Sequence, residues 1–280
     1  RGGSTAVAGA LVPAGLDGCC AHEVGVMAAV TPLRQAQGRP LLQTHGLSKH
    51  FGGLHAVEDV ELAIPHGEIR AIIGPNGAGK TTLVSLFSGR LQPSSGTILF
   101  NGEDVTRLPA HGRVRKGIVY TFQVTSVFGN LPCYENVALA AQRQRGSQSG
   151  VALKESEIAD HVSQAFAQVG LEGVENQLAA NLPYGHQRLL EVAMGLAAGP
   201  ELLILDEPTQ GLAEGEIARL CELVQEISKQ ATVLLIEHNM SVVMELAERI
   251  TVMNSGKVLA EGTPEEIENN PQVQETYLGT

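Results

Sequence analysis

A nine-residue segment, residues 74–82, constrains the fold of this chain more than any other feature. It reads Gly-Pro-Asn-Gly-Ala-Gly-Lys-Thr-Thr and fits the pattern G-x-x-x-x-G-K-[ST]. Residues 68–73, which read Glu-Ile-Arg-Ala-Ile-Ile, predict a buried strand before it, and an apolar run from Thr82 predicts a helix after it. A strand, a glycine-rich loop and a helix in this order indicate an α/β nucleotide-binding core.

The residue types of this loop are suited to holding phosphate. Glycines let consecutive backbone N–H groups turn toward one anion, and the N-terminus of the following helix adds its positive dipole end. We expect Lys80 to contact the β- and γ-phosphates of ATP and the Thr81 hydroxyl to bind Mg²⁺. The nucleotide-binding residues predicted from the loop are Gly74, Pro75, Asn76, Gly77, Ala78, Gly79, Lys80, Thr81 and Thr82.

The composition argues against several other classes of protein. The formal net charge of −11 disfavours a surface for nucleic acid, because such surfaces depend on Lys and Arg at phosphates. No stretch of about 18 apolar residues is free of charges and breakers, so no membrane-spanning helix is predicted. The four cysteines form neither a C-x-x-C pair nor a metal-binding spacing, which is typical of proteins in a reducing cytosol.

Predicted strands and helices alternate over most of the chain, which favours the α/β class. The prediction is a P-loop NTPase core with a mostly parallel sheet, an N-terminal antiparallel β subdomain and a helical subdomain inserted at about residues 125–195. Residues 39–280 are expected to form this domain. Residues 1–38 are rich in Gly, Ala and Pro and are expected to be a disordered extension, with Met27 as a candidate initiator.

Two carboxylates end a second apolar strand, which reads Leu-Leu-Ile-Leu before Asp206 and Glu207. The carboxyl ends of parallel strands meet at the sheet edge where the phosphate loop opens. We therefore expect Asp206 to bind Mg²⁺ and Glu207 to polarise a water molecule against the γ-phosphate.

Taken in order, these motifs and several others resemble the nucleotide-binding subunits of ATP-binding cassette (ABC) transporters, from about residue 41 to residue 279. The resemblance implies that Gln123 contacts Mg²⁺ and couples to a membrane subunit, and that His238 contacts the γ-phosphate. It also implies that Phe51 stacks on adenine, and it places Val57 among the nucleotide-binding residues.

The resemblance assigns six residues to the signature motif, which contacts the ATP held by a partner subunit. These are Leu182, Pro183, Tyr184, Gly185, His186 and Gln187. The family usually has Ser and Gly where this chain has Pro183 and Tyr184, and an acid where it has Ala213. Because proline has no N–H and no hydroxyl, we expect weakened but not absent help to the partner's site.

The subfamily is identified from the Phe-Gly-Gly-Leu-His-Ala-Val segment at residues 51–57, the Thr-Phe-Gln segment and the Tyr-Leu-Gly ending, which are similar to branched-chain amino acid importers. Related ATPases serve urea, amide or lipopolysaccharide systems, and others work outside transport, so these remain alternatives. The resemblance implies transmembrane permease subunits, a second ATP-binding subunit and, indirectly, a periplasmic solute-binding protein. It also implies a peripheral location on the cytoplasmic face of the plasma membrane.

Overall fold

The computed structural model of the chain describes residues 39–121, 126–145 and 154–278. The predicted extension at residues 1–38 and the predicted Mg²⁺ contact Gln123 lie outside these ranges. The described strands are β1 (Leu42–Phe51), β2 (Leu54–Ile64), β3 (Ile69–Ile73), β4 (Ser95–Phe100), β5 (Glu103–Asp104), β6 (Ile118–Tyr120), β7 (Leu202–Asp206), β8 (Thr232–Ile236), β9 (Arg249–Asn254) and β10 (Lys257–Gly262).

Helices separate most of these strands. They are α1 (Lys80–Phe87), α2 (Ala110–Arg115), α3 (Cys133–Arg145), α4 (Glu155–Val169), α5 (Tyr184–Ala197), α6 (Glu214–Ser228), α7 (Met240–Leu246), α8 (Pro264–Glu268) and α9 (Pro271–Leu278). Across the described ranges, no helix has both the length and the apolar character that crossing a membrane requires.

Two sheets are built from the ten strands. The first has the order β2-β1-β4-β5 with antiparallel pairs, as the alternating apolar pattern of β2 predicts. The second has the order β10-β9-β3-β8-β7-β6, and its pairs are parallel except β10 with β9. The predictions of a mostly parallel sheet and of an antiparallel β subdomain are confirmed.

The parallel sheet is buried on both faces, because alternate residues of its central strands enter two different cores. Leu203 and Leu235 belong to a core with the helices α3 to α7. Leu202 and Leu234 belong to a core with α1 and the antiparallel sheet. This two-sided burial explains why β7 and β8 read as continuous apolar runs.

The described part of the region between β6 and β7 contains α3, α4 and α5, whose buried side chains include Val137, Phe166 and Leu190. The helical spacing of apolar residues over 155–169 predicts a helix, and α4 has these bounds. The sequence pattern predicts a helix near residues 186–198, and the structure begins this helix earlier, at Tyr184, with Pro183 at the N-cap position. Because proline has no backbone N–H, it adds no unsatisfied donor at the start of the helix.

Arg113 connects α2 to the end of α1. Its side chain is fully buried, and its guanidinium donates to the carbonyls of Leu86 (2.5 Å) and Phe87 (2.9 Å), the last residues of α1. It also donates to the carbonyls of Thr106 and Leu108. Burial lowers the pKa of Arg113 to about 10, so the side chain stays charged at neutral pH. The cation therefore satisfies carbonyls that a helix C-terminus leaves open, and it fixes the helix that carries the glycine-rich loop.

Candidate nucleotide-binding site

The glycine-rich loop joins β3 to α1, in the order that the sequence predicts. Lys80 is the first residue of α1, and its Nζ donates to the carbonyls of Gly74 (2.6 Å) and Pro75 (3.1 Å). Gly79 has a φ of 98°, and a Cβ there would lie 2.3 Å from the carbonyl oxygen of Ala56. Only glycine fits this position, because both the backbone conformation and the close approach exclude a side chain.

A cavity of about 610 Å³ opens beside this loop. Its wall includes Asn76, Gly77, Lys80 and Thr81 from the loop and the start of α1. Its lining also contains Ala78, Gly79 and Thr82, so seven of the nine predicted loop residues line it.

Phe51, the predicted adenine contact, and Val57, a predicted nucleotide-binding residue, do not line this cavity. The ring of Phe51 is half exposed, with the Lys49 ammonium 5.1 Å from its centroid. Val57 is fully buried in the core with α1 and the antiparallel sheet. The part of the β1–β2 hairpin that lines the cavity is Leu54, His55 and Ala56.

Asp206 ends β7 beneath the loop and is fully buried. The Tyr120 hydroxyl donates to its Oδ2 at 2.6 Å, whereas its Oδ1 is buried without a hydrogen-bond partner among the described residues. Burial raises the pKa of the Asp206 carboxyl. Burial also raises the pKa of Tyr120, with a smaller contribution from the hydrogen bond to Asp206. An orphaned carboxylate oxygen is unusual in a core, and it is the kind of atom that binds a hard cation.

Glu207 and His238 meet at the mouth of the cavity, and both line it. The Nε2 atom of His238 lies 2.8 Å from Oε1 of Glu207. Glu207 has a φ of 48°, a conformation that residues other than glycine rarely adopt, and its N–H donates to the carbonyl of Ile236. This backbone turn directs the carboxylate away from the strand axis and toward His238.

Charge in the site is concentrated around Lys80. Burial lowers the pKa of the Lys80 ammonium, and the carboxylates of Glu207 and Asp206 partly offset this by favouring the charged form. The site therefore places one buried cation near two acids, and the loop N–H groups and helix N-terminus add positive potential. An anion with several oxygens, accompanied by a divalent cation, complements this arrangement.

The six predicted signature residues surround the start of α5, and none of them lines the described cavity. Tyr184 is 45% exposed, and Gln187 donates from Nε2 to the carbonyl of Leu182 at 2.9 Å. A Cβ on Gly185 would lie 2.1 Å from Oε1 of Glu216 on α6, so the flexible end of the Glu216 side chain would have to move to admit a larger residue here. The described part of the chain therefore holds the loop and the signature residues at separate places.

Four residues that sequence reasoning missed hold the site together; three of them are buried, and Tyr120 is partly buried. They are Tyr120, Arg188, Thr209 and Glu237. Arg188 on α5 is 2% exposed and donates from Nη2 to the carbonyls of Asp206 (2.7 Å) and Glu207 (3.0 Å). Its Nη1 donates to Glu191 at 2.8 Å. A signal for Arg188 was present, since a charged residue at a core position of an apolar helix needs a buried partner.

Comparison with known proteins places this geometry in a family. A family model described as "ABC transporter" matches residues 57–210, and one described as "Branched-chain amino acid ATP-binding cassette transporter" matches residues 257–280. The chain belongs to the ABC transporter ATP-binding family. Members of this family hydrolyse ATP to drive transport across a membrane.

Several relatives of this ABC ATPase cover nearly its whole domain. It is 42% identical over 252 residues to the high-affinity branched-chain amino acid transport ATP-binding protein LivG of Escherichia coli K12, covering 86% of this chain and 98% of LivG. It is 39% identical to BraF of Pseudomonas aeruginosa, covering 86% and 98% of the two chains. The lipopolysaccharide export ATP-binding protein LptB of Haemophilus influenzae is 32% identical, with 85% and 97% covered.

Solved structures share the fold of this ABC ATPase. The crystal structure of the ADP conformation of MJ1267, an ATP-binding cassette of an ABC transporter, superposes with a TM-score of 0.77 at 27% identity. The superposition covers 87% of this chain and all of that chain. The P-loop NTPase fold expected from the sequence is confirmed.

Proposed function

We propose that this chain is the ATP-hydrolysing subunit of an importer for branched-chain amino acids. The observation that carries the choice of solute is the match of residues 257–280 to the branched-chain family model, in a segment outside the general ABC model. The names of LivG and BraF, with 42% and 39% identity, support the same solute class. The lower identity to LptB makes lipopolysaccharide export the second candidate.

In this proposal the cavity binds ATP through the glycine-rich loop. The loop N–H groups surround the phosphates, and Lys80 exchanges its two carbonyl contacts for phosphate oxygens. The adenine lies against the β1–β2 hairpin, where Leu54 and His55 line the cavity and Phe51 is within the same hairpin. Hydrophobic and aromatic contact there fixes the base, since a purine offers a large π-face.

Mg²⁺ fits the residues at the end of β7. Asp206 Oδ1 is buried and has no hydrogen-bond partner in the described chain, and Thr81 lines the cavity beside the glycine-rich loop. These oxygens, with Gln123 as a further ligand, would hold the ion, and Tyr120 keeps the second Asp206 oxygen occupied. Bound Mg²⁺ supplies charge neutralisation of the phosphate oxygens.

Glu207 and His238 provide the chemistry on the opposite side of the γ-phosphate. The Glu207 carboxylate accepts a proton from a water molecule as the water oxygen bonds to the γ-phosphorus. The bond between the γ-phosphorus and the β–γ bridging oxygen breaks, and ADP leaves with the bond electrons. His238 orients Glu207 through the 2.8 Å contact. In this mechanism its imidazole also donates to a γ-phosphate oxygen.

The proposal includes partners that complete the transporter. This chain lies peripherally at the cytoplasmic face of the membrane, where permease subunits bind its helical region. A solute-binding protein acts through the permease subunits. A second ATP-binding subunit presents its own signature residues to this ATP, while Pro183 and Tyr184 face the other nucleotide. The exposed position of Tyr184 supports a contact made between chains.

Uptake measurements test the proposal. Cells lacking the gene should lose high-affinity uptake of labelled leucine, while uptake of lysine stays at its original rate. The unaltered gene should restore leucine uptake, and the Glu207→Gln variant should not, because it lacks the carboxylate that accepts the proton. Unchanged leucine uptake in the deletion, with lipopolysaccharide lost from the outer membrane, would replace the favoured solute with the second candidate.

A further inference from the structure

Glu237 lies between β8 and His238 and makes contacts that the proposed mechanism does not use. It is 2% exposed, although its neighbour His238 lines the cavity. Its Oε1 accepts from the N–H (2.9 Å) and the hydroxyl (2.5 Å) of Thr209. Its Oε2 accepts from the N–H groups of His238 (3.0 Å) and Asn239 (3.2 Å). Four donors thus satisfy both oxygens of an acceptor-only carboxylate.

These contacts join the two segments that carry the reacting side chains. Thr209 comes two residues after Glu207, and His238 follows Glu237 directly. One buried carboxylate therefore connects the backbone after β7 to the backbone after β8. The 2.8 Å contact between Glu207 and His238 lies between the same two segments.

The turn that this carboxylate supports is conformationally costly. The φ of 48° at Glu207 persists only where surrounding contacts over-determine it. Arg188 holds the two carbonyls of the turn from the side of α5, and Glu237 holds Thr209 from the side of β8. Without Glu237, the second of these restraints is lost, and the separation of Glu207 and His238 becomes variable.

We propose that Glu237 is a positioning residue for ATP hydrolysis. Its carboxylate holds His238 and the segment after Glu207 at the separation that lets their side chains meet over the cavity. Glu237 acts through these residues and touches neither the nucleotide nor the water. The inference rests on the proposed function of the site, because it concerns the chemical step of that function.

The principal test is Glu237→Gln in the complete transporter, purified through a tag on this chain and supplied with MgATP. The amide keeps the shape, but its NH₂ group faces N–H donors on one side, so at least one pair of hydrogen bonds is lost. The turnover number should fall about tenfold or more, because small displacements of reacting groups have large effects on rate. The dissociation constant for ATP should stay within about threefold, because the loop contacts are unchanged.

A double variant distinguishes positioning from general weakening of the fold. His238→Ala already removes the side chain that Glu237 places. If Glu237 acts through His238, Glu237→Gln should lower turnover much less in the His238→Ala background than in the unaltered chain. Equal fold-losses in the two backgrounds, or a loss of ATP affinity and melting temperature in parallel with rate, would assign Glu237 a structural role only.

Thr209→Val provides a second perturbation and Thr232→Val its matched control. The first removes one hydroxyl donor to Glu237 and keeps the N–H contact. The second removes the buried hydroxyl that accepts from Gly67 N–H at 2.8 Å, at the opposite end of β8. Turnover should fall severalfold in Thr209→Val and stay within twofold in Thr232→Val, at similar cost in melting temperature.

The outcomes separate this inference from the proposed function. If the unaltered complex does not hydrolyse ATP, the proposed function fails. If it does, and both Glu237→Gln and Thr209→Val turn over like the unaltered complex, the positioning role is wrong. Should Glu237→Gln fail to fold, Thr209→Val compared with Thr232→Val decides alone, and equal turnover in these two variants would overturn the inference.

Discussion

Replacing Arg188 by Met tests the link between α5 and the acidic end of β7. Arg188 and Glu191 are 2% and 5% exposed, and their side chains are 2.8 Å apart. Removing one partner of a buried ion pair typically costs about 3–5 kcal/mol, because the other charge stays in a desolvated place. In a domain of this size, that loss corresponds to a fall in melting temperature of roughly 6–20 °C.

The double variant Arg188→Met with Glu191→Met separates stability from catalysis. Replacing both charges by apolar side chains of similar volume is often neutral, so most of the melting temperature should return. Turnover should remain low in both variants, because the carbonyls of Asp206 and Glu207 lose the guanidinium that holds them at 2.7 and 3.0 Å. Calorimetry of the nucleotide-free chain and phosphate release by the complete transporter measure the two effects.

Two results would refute this reasoning. A double variant as unstable as the single one would show that the loss of stability does not come from breaking the Arg188–Glu191 pair. A double variant with full turnover would show that Arg188 does not hold the Glu207 turn in its working geometry. Arg113→Met is the comparison for a buried arginine outside the site: it should lower stability without the same selective loss of rate.

Further predictions concern Lys80, Glu207 and Arg113. Lys80→Met should weaken ATP binding by more than about tenfold by titration calorimetry, since a charged phosphate contact is lost. Because burial lowers the pKa of Lys80, the charged form is disfavoured on folding, so this variant should melt above the unaltered chain at pH 7. This difference in melting temperature should shrink as pH rises through the lowered pKa of Lys80. A Lys80→Met variant that melts below the unaltered chain at pH 7 would contradict this reasoning. Glu207→Gln should cut phosphate release about a hundredfold while ATP still binds. Arg113→Lys should cost about 2–4 kcal/mol in urea unfolding, because one ammonium cannot serve four carbonyls. A cost below about 1 kcal/mol would show that water replaces these bonds.

Helices and strands that are specified by a short, contiguous residue pattern were predicted from the sequence. The strand, glycine loop and helix around Lys80 follow from residue pattern. The patterns at residues 155–169 and 232–236 likewise predict a helix and a strand, and α4 and β8 have these bounds. The short helix α8 was not predicted, although Thr263 and Glu266 form a capping box with Pro264 at the first turn. That start signal is readable from sequence alone.

Contacts between segments that are distant in sequence could not be predicted from residue patterns. The Tyr120–Asp206 hydrogen bond depends on β6 lying next to β7, a strand order that no residue spacing specifies. The position of Val57 depends on which face of β2 is covered, and the structure puts that side chain in the core. The residue patterns therefore indicated the candidate site residues but not the contacts that hold those residues in place.

The residues that contact Asp206 and Glu207 explain how two adjacent acids can lie at a buried strand end. The site places two carboxylates, Asp206 and Glu207, in sequence at a buried strand end, an arrangement that like-charge repulsion and desolvation oppose. Arg188 reaches their carbonyls, Tyr120 binds Asp206, and His238 binds Glu207, so each acid has a neighbour from a different element. Because these neighbours come from α5, β6 and the turn after β8, a displacement of any one element alters the acids directly. Turnover is consequently expected to be more sensitive than ATP binding to changes outside the glycine-rich loop, whose contacts with Lys80 are made within residues 74–80.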